Sequence, residues 1–179
     1  VNHIKTTAEP YDGEWHHVVF VQEGGERRVY VDGELDDLEI VAKPEGGFRV
    51  NDTTIGGILR SSASHWVTGL IDDVAIWKRA LSDDESSQLY KDGLSSVFPT
   101  LGNGLVAYWP LDEVQGSKTP ELVNGYDMEL TNLSADDVVE GRIGNAFSFS
   151  NEKQTLLSRV HDAADQLPAN KHESYTISM

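Results

Sequence analysis

Nearly every apolar run in this chain is short, alternates with polar residues and stops at a turn residue. Successive side chains of a strand point to opposite faces, so a run of this kind buries one face, as a strand of an antiparallel sheet does. His17-Val18-Val19-Phe20-Val21 is the first such run, opened by Trp15. Residues 27–31 follow, and then Asp32-Gly33, a dipeptide that accepts the positive φ angles of a tight hairpin. Residues 38–42 are expected to return as the partner strand. Gly46-Gly47 and Gly56-Gly57 punctuate two more strands, at 48–50 and 53–58, and 67–77 is the longest strand candidate of the first half. Further strands are expected at 105–111, 126–133, 146–150, 155–160 and 175–179.

One segment has a different pattern. Ser82-Asp83-Asp84-Glu85 carries an N-cap residue, acidic first-turn residues and a glutamate in the capping-box position, and Gly93 lies where a helix would end. A helix of about three turns over 82–92 follows from this. Many short strands and one brief helix make an all-β, two-sheet antiparallel sandwich the expected fold class. The two halves of the chain show no internal repeat.

Charge and composition narrow the function classes. The chain holds 14 basic and 30 acidic residues, a net charge of −16. Both halves share the excess, so it reads as a solvated acidic coat that works against nucleic acid and anionic membranes. There are no cysteines, hence no disulfide framework, no thiolate zinc site and no cysteine nucleophile. No run of 18 apolar residues occurs, so membrane insertion by a helix is not expected. The first residues carry no signal-peptide pattern and no initiator Met, which suits a piece of a longer polypeptide.

Several strings resemble the laminin G-like branch of the concanavalin A-like lectin/glucanase jelly rolls. Members of that group open on a stretch like Gly104-Leu105-Val106-Ala107-Tyr108-Trp109-Pro110-Leu111-Asp112-Glu113, continue through one like Gly141-Arg142-Ile143-Gly144-Asn145-Ala146-Phe147, and reach one like Tyr175-Thr176-Ile177-Ser178-Met179. Later come segments like Glu14-Trp15-His16-His17-Val18, Arg28-Val29-Tyr30-Val31-Asp32-Gly33 and Gly69-Leu70-Ile71-Asp72-Asp73-Val74-Ala75-Ile76-Trp77. The order here is inverted: the family's opening block is at 104–179 and its closing block at 1–93.

Two organisations fit that order. Residues 1–97 would end one repeat and 104–179 begin the next, or the halves close across a linker at 94–103 as a single, circularly permuted sandwich spanning 1–179. We expect the second, because each half alone would leave an apolar sheet face in water. Its signature is a pairing of the strand at 105–111 with the strand at 67–77. The family's two or three intervening strands have no counterpart in this order. Sheet edges left open there would accept strands from neighbouring chains, giving self-association as a third functional reading.

The resemblance implies a non-catalytic recognition or adhesion module that binds glycans or extracellular proteins. It would sit outside the cell or on its surface, as part of a longer exported and, given the missing cysteines, bacterial protein. It also implies structural Ca²⁺ between the first and last strands, with Asp72 and Asp73 from one side and Asp112 and Glu113 from the other. Ca²⁺ takes six to eight oxygens, many of them carbonyls that leave no trace in sequence. Asp72 and Asp73, read as neighbours on one strand, would face opposite ways.

Other candidates are weaker. Glu34, Asp36 and Glu39 match the Glu-x-Asp-x-x-Glu carboxylate spacing of related β-glucanases, whose retaining chemistry needs two carboxyls about 5–5.5 Å apart. The run begins at a hairpin turn, however, and Asp37 fills a slot that should be apolar, so a solvated acidic turn is the expected reading. His65 and Trp66 lie in a polar loop, where an exposed aromatic would meet a ligand. With that loop, 112–118 and the Asp136-Asp137 turn are the candidate binding rims. His16 and His17 point to opposite faces and make no two-ligand metal site, and His161 and His172 lack ligand spacing. Trp15, Trp77 and Trp109 are expected in the core or at its margin. Asn51-Asp-Thr53 and Asn132-Leu-Ser134 match glycosylation acceptors.

Overall fold

The computed structural model of the protein describes residues 4–24, 26–36, 39–40, 52–59, 61–94, 101–161, 167 and 174–179. Its strands are β1 (Ile4–Lys5), β2 (Val18–Glu23), β3 (Glu26–Val31), β4 (Glu34–Leu35), β5 (Glu39–Ile40), β6 (Asp52–Ile55), β7 (Ile58–Leu59), β8 (Ala63–Ser64), β9 (Gly69–Ile71) and β10 (Val74–Trp77). After the helix α1 (Asp83–Asp92) come β11 (Leu105–Trp109), β12 (Lys118–Thr119), β13 (Met128–Thr131), β14 (Val138–Glu140), β15 (Asn145–Phe149), β16 (Leu156–Val160) and β17 (Tyr175–Ser178). The fold is all-β and antiparallel, as the alternating pattern predicts, and is consistent with the concanavalin A-like sandwich that the resemblance implies. The chain forms two compact units, one of Val1–Arg49, Ile76–Leu105 and Pro168–Met179, the other of Val50–Ala75 and Val106–Leu167.

In the first unit, β17, β2, β3 and β4 pair antiparallel in that order. β10 and β11 are the strands along which the chain passes between the units. Lys78 donates its backbone N–H to the Gly104 carbonyl at 2.8 Å, tying the ends of those two strands. The β2–β3 register sets Val19 opposite Tyr30, both buried, and the hairpin from β3 to β4 closes in two residues, with Val31 opposite Glu34. Asp32 and Gly33 have φ angles of 53° and 79°, the left-handed pair that a two-residue turn of matching twist requires. The partner expected for β3 at 38–42 is instead Glu34–Leu35, directly after the turn, while Glu39–Ile40 pairs with Ile4–Lys5.

The helix forms as its sequence dictates. Ser82 accepts from the Glu85 N–H at 3.2 Å, the Glu85 carboxylate accepts from the Ser82 N–H at 2.9 Å, and Gly93 ends the helix. Arg79 grips Glu85 with two bonds of 2.8 Å, a charge-assisted fork. Gly33 has to be a glycine for a second reason: a Cβ there would lie 3.0 Å from the Tyr90 ring of α1. Val19, Val21, Tyr30, Trp77, Leu81 and Leu89 are among the fully or almost fully buried side chains of this unit, and the indole of Trp77 donates to the Leu101 carbonyl at 2.7 Å.

The second unit holds a four-stranded sheet, β12-β13-β16-β6, a three-stranded sheet, β14-β15-β9, and the hairpin β7–β8. Leu130, Leu157 and Ile55 line up across β13, β16 and β6. Val138, Phe147 and Ile71 do the same across β14, β15 and β9. Phe147, Phe149, Leu111, Met128, Leu157 and Trp109 are its buried large side chains. Gly56 allows Phe149 to pack: a Cβ there would fall 2.1 Å from the ring.

The sequence signals missed β1, β4, β8, β12 and β14, each only two or three residues long and so without room for an alternating pattern. They also ran β9 and β10 together as a single strand at 67–77. The chain breaks at Asp72-Asp73, where Asp73 has φ 52°, a left-handed backbone that no strand can hold. The expected strand at 48–50 lies outside the described residues.

Candidate functional site

At that break unusual backbone and raised carboxyl pKa values coincide. Because Asp73 is left-handed, strand alternation does not apply, and Asp72 and Asp73 are not sent to opposite faces. Asp72 feels the charges of Asp73 and Asp112, and Asp73 feels that of Asp112, all within the second unit. Leu111, just before Asp112, is also left-handed at φ 62° although fully buried. Such a conformation costs a non-glycine residue about 1–2 kcal/mol. Strain of this kind persists only where the surroundings over-determine it, and it gathers at sites.

Each carboxylate has its own partners. Asp72 is 6% exposed. Its Oδ2 accepts the backbone N–H groups of Arg142 and Ile143 at 3.0 and 3.1 Å, while Oδ1 is buried without a hydrogen-bond partner. Asp73 Oδ1 accepts the Tyr108 hydroxyl at 2.5 Å. Asp112 Oδ1 accepts the Asn145 N–H at 2.6 Å, and the Asn145 amide returns a bond to the Asp112 carbonyl at 3.1 Å. Gly141 and Gly144 bracket the loop that makes this approach. A Cβ on Gly141 would come 2.7 Å from Asp72 Oδ2, and one on Gly144 would come 2.5 Å from Asp112 Oδ1. Asp73 N–H reaches the Pro110 carbonyl at 3.5 Å, joining the two stretches that carry the aspartates.

The electrostatics follow from burial. Loss of water pushes the Asp72 carboxyl up to about 6; its two N–H donors resist, and the charges of Asp73 and Asp112 add to the rise. Burial raises Asp73 too, with Asp112 adding to it and the Tyr108 bond opposing. The Tyr108 hydroxyl is raised by its own burial and by the Asp73 carboxylate. Three like charges and one uncompensated buried oxygen favour a proton or a cation. They do not make a nucleophile, because Asp72 is too enclosed to touch a substrate. Among the described residues, no three histidine, aspartate or glutamate side chains are disposed to hold a metal ion. An ion here would complete its shell with carbonyls.

The other predicted residues lie elsewhere. Glu113 is exposed in a turn and accepts from the Gln115 amide at 2.9 Å. His65 is exposed with φ 55°, its Nδ1 3.0 Å from the Ser64 hydroxyl. Trp66 is half-buried rather than exposed, close against Gly57, where a Cβ would sit 3.3 Å from its ring. Glu34 is exposed on β4. Asp36 is committed elsewhere: Oδ1 accepts from Thr7 N–H at 2.7 Å and from its hydroxyl at 3.0 Å, and Oδ2 accepts from Ala8 N–H at 2.8 Å. The Glu39 side chain, Asp37, His172 and Asn51 lie outside the described residues. His16 and His17 reach separate partners, Asp12 and Asp32 for the first and Ser178 for the second. Asn132 has φ 53° and spends its amide on the Lys153 and Gln154 carbonyls.

Sequence reasoning missed Glu121. It is 6% exposed, and its carboxylate accepts four backbone N–H groups: Tyr108 at 2.7 Å, Val123 at 2.8 Å, Asn124 at 2.6 Å and Tyr126 at 3.1 Å. This ties the 121–126 loop to β11 and so places Tyr108. No spacing rule flags a lone glutamate that binds only backbone.

No curated protein and no solved structure matches the chain. A family model, laminin G of the concanavalin A-like lectin/glucanases superfamily, matches residues 1–85. Over those residues, which are just under half of the chain, it is similar to that family, and the antiparallel fold described above agrees with the similarity.

Proposed function

We propose that the chain is a non-catalytic recognition module, acting outside the cell on glycans or proteins, with a Ca²⁺-responsive cluster at Asp72, Asp73 and Asp112. The observation that carries this reading is the buried, unpartnered Oδ1 of Asp72 beside two further carboxylates. Leaving a buried acceptor unmade costs about 1–3 kcal/mol, and a hard dication with oxygen ligands offsets that cost and the repulsion together. Asp72 would meet the ion through its bare Oδ1, with carbonyls completing the shell, and Asp73 and Asp112, held by Tyr108 and Asn145, would add negative charge nearby. Glu113, turned away on Gln115, would take no part unless its turn moved.

The state of the glucanase-like carboxylates supports the non-catalytic part. A retaining glycosidase of that pattern needs its two outer carboxyls facing one sugar, and Glu34 stands on β4, paired with β3, while Glu39 stands on β5, paired with β1, so the two do not share a strand. Reducing-end assays on β-glucans check this. We expect no turnover, and turnover that disappears in Glu34→Gln would overturn the reading.

We also propose that the two halves close as one circularly permuted domain rather than belonging to two repeats. Each compact unit draws on both halves of the sequence, and neither boundary falls in the 94–103 linker. The Lys78–Gly104 bond in one unit and the Asp73–Pro110 bond in the other support it as well. Cutting the chain within 94–103 and separating the pieces is expected to leave neither soluble alone; a folded, soluble 104–179 fragment would favour the repeat junction.

A further inference from the structure

The segment before β2 carries two aromatic side chains in water, although each would normally be covered. Tyr11 is 94% exposed and Trp15 is 37% exposed. They flank a tight turn: Asp12 Oδ1 accepts the Glu14 N–H at 2.9 Å, and Gly13 supplies a φ of 95°. The turn is fixed from outside as well. His16 Nε2 lies 3.0 Å from Asp12 Oδ1, and its Nδ1 lies 2.8 Å from Asp32 Oδ2 in the β3–β4 turn. Carboxylate oxygens only accept, so both ring nitrogens donate and His16 is an imidazolium here. Asp32 Oδ1 also takes the His17 N–H at 2.9 Å, and Asp36 clamps Thr7 and Ala8 upstream. Three carboxylates, those of Asp12, Asp32 and Asp36, thus hold a loop that carries exposed aromatic rings.

We propose that Tyr11 and Trp15 form a stacking platform for a neutral glycan, a ligand site separate from the Asp72 cluster and from the 61–66 loop. The inference rests on the recognition reading above and names its ligand class. Aromatic rings present electron-rich faces that suit the C–H face of a pyranose ring and give contact area at small entropic cost. A loop already pinned loses little freedom when a ligand binds. The charge pattern selects among ligands. The protein carries a net −16, which repels sulfated or uronic polymers. Locally, the imidazolium offsets only one of Asp12 and Asp32, and Glu9 and Glu14 are exposed beside the rings, so a basic peptide is the rival occupant that the oligolysine titration below tests. The half-exposed Asp12 carboxylate remains an acceptor for sugar hydroxyls.

The test is calorimetric titration of the whole chain with cellohexaose, laminarihexaose, mannohexaose and xylohexaose, alongside a heparin hexasaccharide and an oligolysine peptide. Tyr11→Ala, Trp15→Ala and Trp66→Ala are compared, each with its thermal unfolding. Tyr11 is so exposed that its truncation leaves folding intact. We expect at least one neutral hexasaccharide to bind, with a tenfold or greater loss in Tyr11→Ala and in Trp15→Ala and less than a twofold change in Trp66→Ala. Binding that survives Tyr11→Ala and falls with Trp66→Ala overturns the platform and leaves the recognition reading standing. Binding of heparin or oligolysine alone, or of no neutral hexasaccharide, also overturns it. Reducing ends released from a bound hexasaccharide would instead sink the non-catalytic reading while the platform stood.

Discussion

Glu121 and Asp72 are two carboxylates of the second unit with the same small exposure, and they are used in opposite ways. Glu121 places both oxygens against four backbone N–H groups, so its charge is fully compensated and it acts as an internal splint for the loop beside β11. Asp72 has donors on one oxygen only, leaves the other bare, and stands near two more aspartates. Burial at a satisfied carboxylate builds structure; burial at an unsatisfied one stores a demand for a proton or a cation. The backbone agrees with the chemistry, since the left-handed Asp73 and Leu111 lie at the second of these places.

The largest effect should come from breaking the splint. Glu121→Ala leaves four backbone donors, one buried and three part-buried, without their acceptor and is expected to lower unfolding stability by about 3 kcal/mol, with Glu121→Gln near half of that. Urea unfolding followed by tryptophan fluorescence measures both. A loss under 1 kcal/mol for the alanine would mean that water can reach the loop and that the two carboxylates do not differ as described.

Next comes Tyr108→Phe, which removes the donor on Asp73. A loss of about 1.5 kcal/mol is expected, again by urea unfolding in calcium-free buffer. No loss would show that the Asp73 carboxylate is satisfied without the phenol, and the cluster would then need no outside charge.

The smallest effect has the opposite sign. In calcium-free buffer at pH 7, Asp72→Asn should stabilise the protein by about 1 kcal/mol, a figure reduced for solvent screening. The folded carboxyl of Asp72 lies near 6, above its unfolded value. Its protonation therefore contributes stability that is fully present below about pH 4 and is lost as pH rises through 6. The advantage of Asp72→Asn should accordingly be greatest at pH 7 and vanish near pH 4. Stability curves for the two proteins that run parallel from pH 4 to 7 would remove Asp72 from the account.

The sequence patterns that carry this fold are those whose physics is local. Asp32-Gly33 needs positive φ, Ser82 to Glu85 satisfies a helix end by itself, and alternating runs bury one face; each of these turned up where expected. The Asp72-Asp73 break did not, because the surrounding residues alternate as a strand should and only tertiary contacts with the 108–112 and 141–145 segments hold Asp73 left-handed. Asp72 and Asp112 were visible as candidates through family resemblance, while Tyr108 and Asn145, which aim them, have no local signature. Glu121 was invisible for a related reason: its partners are backbone amides, and any sequence supplies those. Trp15 read as part of a strand's apolar margin, yet the strand begins only at Val18, which leaves its ring in a loop.

The measurement that bears most directly on the contrast is unfolding stability with and without Ca²⁺, in wild type, Asp72→Asn and Glu121→Gln. At a Ca²⁺ concentration about 100 times the dissociation constant, binding to the folded state alone adds about 2.7 kcal/mol. The account predicts that gain in wild type and in Glu121→Gln, starting from a lower baseline, and none in Asp72→Asn. A wild type indifferent to Ca²⁺, or an Asp72→Asn variant stabilised as much as wild type, would contradict it.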